Sequence, residues 1–188
     1  MEGEDGESND PRAFGEKTLL QRASIIFAGP FALPAIKISV EGTNTLGSTE
    51  KSTQMTYNKG GINIEGSGTL TINSDIKCGS KGGLVIESTG NTVINGGVNI
   101  PGTLYVKKGN ITLANVTDDN FSAESVYITG GTFTAKGQIK QLASTGAVGV
   151  DAGLWAEKSV NADGTNAEVI GSGTYSASEL TGYKYFRA

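Results

Sequence analysis

A spacing of about twenty-two residues recurs through the middle of this chain and limits what it can fold into. Short runs alternate apolar and polar residues: Ile36-Lys-Ile-Ser-Val40, Ile62-Asn-Ile64, Leu84-Val-Ile86, Leu104-Tyr-Val106 and Val126-Tyr-Ile128. Alternation with period two marks a strand with one buried face. The last apolar residues of these runs are Val40, Ile64, Ile86, Val106 and Ile128, separated by 24, 22, 20 and 22 residues. Val150, in a weaker run, follows 22 further on. Each run is followed by a break and a second apolar run, as in Leu70-Thr-Ile72. One such unit cannot bury its own apolar face, but stacked units bury a continuous column, so a steady period of this length predicts a solenoid. The fold expected is all-β, a single-stranded right-handed parallel β-helix of five to six coils over residues 36–156.

The rival fold, an antiparallel sandwich, would favour Asn-Gly or Asp-Gly hairpin turns. Asn95-Gly96 and Asp163-Gly164 are present, but only the first lies among the regular runs, and hairpins give no reason for the period. Composition agrees with the solenoid. Only 37 % of residues are hydrophobic while 28 of 188 are glycine, which suits a narrow core with tight bends better than a round one. Asn73, Asn95 and Asn115 each lie nine residues after an anchor, which predicts amides stacked at a bend.

The ends read differently. Asn9 or Asp10 can cap a helix with Pro11 in its first turn and Gly29-Pro30 beyond its end, so residues 11–27 are expected to form a helical cap. Residues 174–188, with the alternating Tyr183-Lys-Tyr-Phe186, are expected to close the other end. The division is therefore 1–35, an N-terminal helical segment, and 36–188, the β-helix with its C-terminal cap.

Charge and residue types narrow the function. A net charge of -4 speaks against a nucleic-acid partner, which needs a basic surface. The absence of histidine excludes a Ser-His-Asp triad, a Cys-His dyad and a histidine-bearing zinc site. Cys78 is the only cysteine, so no intrachain disulfide can form. The acidic start is unlike a secretory signal, and Ala23 to Ile38 is too interrupted to span a membrane.

Three groups of side chains are candidates for binding. Glu41, Glu65, Glu87 and Lys107 each follow an anchor by one residue and would stack on one outward face. Stacked carboxylates repel, which calcium would relieve, or Glu87 pairs with Lys107 instead. Tyr105 and Tyr127 precede their anchors by one residue and would stack beside them, offering rings to a sugar or simply packing across strands. Asp118-Asp119 lies in a bend, either as calcium ligands or as a solvated turn. Glycoside hydrolysis needs two carboxyl groups at a set separation, and no group of three aspartates shares a register here.

The phrases Ile38-Ser-Val-Glu-Gly-Thr-Asn-Thr-Leu46, Gly61-Ile-Asn-Ile-Glu-Gly-Ser-Gly-Thr-Leu-Thr-Ile72 and Val126-Tyr-Ile-Thr-Gly-Gly-Thr-Phe133 resemble β-helical carbohydrate-binding-domain proteins of clostridial and gut bacterial surfaces. The tail Asn161-Ala-Asp-Gly-Thr-Asn-Ala167 resembles the way such domains end. The resemblance spans residues 36–188 and implies a secreted or cell-surface protein that binds polysaccharide, in some members acidic plant polysaccharide with calcium. The family's paired acidic motif is matched only by Asp118-Asp119. Residues 1–33, with Glu2-Gly-Glu-Asp-Gly-Glu-Ser-Asn-Asp-Pro-Arg-Ala-Phe14 and Ala28-Gly-Pro30, resemble a segment of bacterial site-2 intramembrane metalloproteases, but the zinc motif of that family needs histidine. A fusion, recombination or cloning junction near residues 31–35 is the simplest account expected of this.

The function expected is thus a non-catalytic extracellular or cell-surface module that binds polysaccharide through Tyr105, Tyr127, Glu65, Glu87 and Lys107, with calcium at Asp118 and Asp119 as candidate cofactor. The alternatives are a structural or adhesive spacer and, less well supported by the residues, a polysaccharide lyase.

Overall fold

The structure is a computed structural model that describes residues 35–49, 54–58, 60–79, 81–117, 119–139, 142 and 145–188. The chain divides into two compact units, Met1–Leu33 and Pro34–Ala188, and every described residue belongs to the second. The helix expected at residues 11–27 lies outside the described residues, as does Asp118.

Residues 35–150 wind as a β-solenoid of about five turns, the first four each laying one strand on each of three sheets. The first turn carries β1 (Ala35–Val40), β2 (Thr43–Leu46) and β3 (Gln54–Tyr57), and the second β4 (Gly61–Gly66), β5 (Thr69–Ile72) and β6 (Asp75–Cys78). The third carries β7 (Leu84–Ile86), β8 (Asn91–Ile94) and β9 (Val98–Asn99), and the fourth β10 (Leu104–Val106), β11 (Asn110–Val116) and β12 (Phe121–Ser122). In the fifth, β13 (Val126–Ile128) and β14 (Thr132–Gly137) are followed by a single parallel bridge between Ala123 and Leu142. β15 (Ala147–Val150) completes the parallel part of the first sheet. The third sheet, β3, β6, β9 and β12, has strands of two to four residues, and the two-residue β9 and β12 leave no run that repeats through all four coils.

The period-two pattern has the physical meaning expected of it. In the first sheet Ile62, Leu84, Leu104, Val126 and Val148 face inward as one buried row, and Ile64, Ile86, Val106, Ile128 and Val150 as another. Leu70, Thr92, Ile111 and Phe133 line the second sheet, and Ile76, Val98 and Phe121 the third. β-Branched side chains recur in these rows because their stiff χ1 packs well on a pleated surface.

Register corrects the expected spacing at the first turn. Ile38, not Val40, lies opposite Ile64, so the first separation is 26 residues; Val40 lies opposite Gly66. The carbonyl oxygen of Val40 would stand 2.2 Å from a Cβ at Gly66, whose φ is +106°, so glycine is what lets the two coils close there.

The far end is closed by reversal of strand direction. β18 (Gly173–Ser176) runs antiparallel on β15, and β19 (Tyr185–Arg187) runs antiparallel between β14 and β16 (Glu157–Ser159), with β17 (Glu168–Val169) outermost. A single helical turn, α1 (Ala177–Leu180), joins β18 to β19. The closing strand thus starts two residues later than Tyr183. Phe186 enters the column against Phe133 and Tyr175, each ring centre 6.2 Å away. Among the described residues no helix is long and apolar enough to cross a membrane.

Candidate functional site

The outward face of the first sheet carries two neighbouring rows of side chains. One row runs Lys37, Asn63, Val85, Tyr105, Tyr127 and Gly149. Tyr105 and Tyr127 stack with ring centres 5.5 Å apart and planes 26° off parallel, and they are 38 % and 39 % exposed. Tyr127 leans over Gly149, where a Cβ would meet its ring at 2.6 Å; the missing side chain gives the ring its seat.

The second row holds Glu65, Glu87 and Lys107. Ser39, not Glu41, lies opposite Glu65, so Glu41 drops out of the expected ladder of carboxylates, a consequence of the 26-residue first turn. The two remaining carboxylates each have a lysine. Lys37 Nζ donates to Glu65 Oε2 at 3.2 Å, and Lys107 Nζ to Glu87 Oε1 at 2.8 Å. Asn63 Nδ2 donates to the other Glu87 oxygen at 3.1 Å. The Lys107 hydrogen bond, followed by that from Asn63, holds the Glu87 carboxyl below its usual range. The repulsion that would have called for a cation at these glutamates is therefore met by lysines.

Asp119 is exposed in the bend after β11, and among the described residues no three His, Cys, Asp or Glu side chains cluster as a metal site. The bend itself is tied by Asn120, whose Oδ1 accepts from Thr117 N at 2.7 Å and whose Nδ2 donates to Asn115 O at 2.7 Å. Asn115 offers this bend its backbone carbonyl and does not join the expected amide stack. Asn95 Nδ2 does donate to Asn73 Oδ1 at 2.8 Å, but β11 sets Asn110 opposite Asn91, a separation of 19, one shorter than the 20 between Ile86 and Val106. The lost residue moves Asn115 out of the row, and a different rung forms, Asn110 Nδ2 to Asn91 Oδ1 at 2.9 Å.

Cys78 is buried, and burial pushes its thiol up to about 11, so it is not poised as a nucleophile. Nothing in the repeat singles out Trp155 or Arg187, because both lie beyond the last regular turn. The fold nonetheless places the Arg187 guanidinium 5.2 Å from the centre of the Trp155 ring, which is 46 % exposed.

Compared with family models, with curated proteins and with solved structures, the chain finds no match.

Proposed function

We propose that this chain is a non-catalytic module that binds polysaccharide outside the cell or at its surface, on the outward face of the first sheet. The observation that carries the reading is the stacked, half-exposed Tyr105–Tyr127 pair beside the Lys107–Glu87 pair. Aromatic rings offer apolar area to the C–H faces of sugars, while a fixed lysine and carboxylate offer charge-assisted hydrogen bonds to sugar hydroxyls or uronate groups. Because the rows run across the coils, a polymer lying along the solenoid meets a repeating surface. Calcium enters as a bridge between an acidic polymer and carboxylates such as Asp119. In this proposal the winding is right-handed, the hand that parallel strands joined by a crossover nearly always take.

The rival reading, a spacer without ligand, is favoured by the same contacts, since ring stacking and Lys–Glu pairing also serve as ordinary cross-strand pairs. Electrophoresis through gels containing polygalacturonate, with calcium or chelator, separates the two. Retardation by the polymer that is lost in Tyr105→Ala/Tyr127→Ala supports binding. Unretarded migration in every gel, with a melting temperature indifferent to calcium, leaves the spacer.

A further inference from the structure

The outward side of the second sheet differs in chemistry from that of the first. Thr43, Thr69, Asn91, Asn110 and Thr132 form one row and Thr45, Thr71, Val93, Thr112 and Thr134 the next. Seven of these ten side chains are threonine and none is charged. Among the described residues none of the seven threonine hydroxyls makes a side-chain hydrogen bond, so each keeps a donor and acceptor for a ligand. The second row does not stop at the last parallel coil. Thr134 lies opposite Arg187, and Arg187 opposite Glu157, whose carboxylate is 4.0 Å from the guanidinium. Arg187 in turn covers one side of Trp155. The uncharged hydroxyl track therefore ends on the most exposed large aromatic ring among the described residues.

We propose that this face is a second carbohydrate-binding surface, one that takes a neutral, hydroxyl-rich polysaccharide chain along the threonine rows and stacks a sugar ring on Trp155. The track joins the two features sugar recognition needs, hydroxyl partners and an aromatic plane. From β2 to β17 the sheet extends over eight strands, a length of about 34 Å, enough for several sugar units. The two rows themselves carry no charge before Arg187, with Lys136 standing beyond them on β14, and a track of hydroxyls favours a neutral polymer over a uronate. This inference is independent of the first-sheet reading, which uses other residues and an acidic ligand.

Trp155 is the chain's single tryptophan, so its emission reports on this face alone. The full chain is titrated with β-1,4-linked hexasaccharides of glucose, xylose and mannose. A saturable emission change with at least one of them is expected. Thr112→Ala/Thr134→Ala should weaken it by about tenfold, as loss of about 1.4 kcal/mol would, and Tyr105→Ala/Tyr127→Ala should leave it unchanged. Gels containing the matching neutral polysaccharides should retard the parent and not Trp155→Ala. Trp155→Phe, which keeps a ring for Arg187 and for the sugar, should restore retardation. Silent emission together with unretarded migration in neutral gels would overturn the inference. So would an affinity indifferent to the threonine substitutions, or one abolished by the tyrosine pair and not by Trp155→Ala. Retardation by polygalacturonate alone would uphold the first-sheet reading and sink this one.

Discussion

Thr92 stands between Leu70 and Ile111 in a row that faces the column, is 1 % exposed, and its hydroxyl has no hydrogen-bond partner. A buried hydroxyl without a partner forfeits its hydration and gains nothing in return, at a cost of about 1–3 kcal/mol. Thr92→Val keeps the branched shape and removes the hydroxyl. It is expected to raise stability by about 1–2 kcal/mol, read from the midpoint of chemical denaturation. Equal or lower stability would show that the hydroxyl is satisfied after all. The exposed pairs Lys37–Glu65 and Lys107–Glu87 carry less weight for stability, since ion pairs in water contribute about 0–1 kcal/mol. Their importance is in fixing where charge sits on the first sheet.

At the scale of the element, the corner between the first and second sheets is made by glycines stacked coil on coil. A Cβ at Gly68 would meet the carbonyl oxygen of Gly42 at 2.4 Å, and one at Gly90 would meet that of Gly68 at 2.0 Å. Neighbouring backbones approach here as closely as strands in a sheet while also turning, and no side chain fits between them. The same stack continues through Gly109 and Gly131. Gly90→Ala must push backbone apart, because the obstructing atom is a carbonyl and not the end of a flexible side chain. The expected loss is about 1–3 kcal/mol or more, visible as a lowered melting temperature and faster amide exchange at Thr69 and Asn110, whose N–H groups donate across this corner at 2.7 Å and 3.1 Å. An alanine variant with parental stability would mean that the coils are not stacked in this register.

For the whole molecule, the decisive contrast is between the parallel stack and its antiparallel end. Parallel coils end in unpaired N–H and C=O groups and an open apolar column, which invite edge-to-edge association. β18 and β19 reverse direction, and Phe186 plugs the column on top of Phe133. A chain ending at Gly182 would keep all five turns but lose β19, exposing Phe133 and the edge of β14. It is expected to form oligomers or aggregate at concentrations where the full chain stays monomeric, measured by light scattering after gel filtration. A monomeric truncated chain of unchanged stability would assign the closure to other residues.

The column of the first and second sheets was legible in the sequence because burial acts on single residues with a fixed period of two: Ile64, Ile86, Val106 and Ile128 had to face one way wherever the chain went. Pairing across coils was less legible. Lys107 could be matched with Glu87 from spacing, but Glu41 and Asn115 fell out of their rows because the first turn is longer and the third tighter than the mean, and register is set by the fit of corners and bends. The third sheet escaped notice because two of its four strands, Val98–Asn99 and Phe121–Ser122, are shorter than one alternation, which leaves no repeat to read through all its coils. Trp155 and Arg187, 32 residues apart, meet only because β19 returns antiparallel beside β16. A stacked, narrow-cored β architecture thus follows from the order of residues, since apolar periodicity is a local property. Which side chains share a face at the closing end was decided by the tertiary structure alone, since that depends on the direction in which distant strands pair.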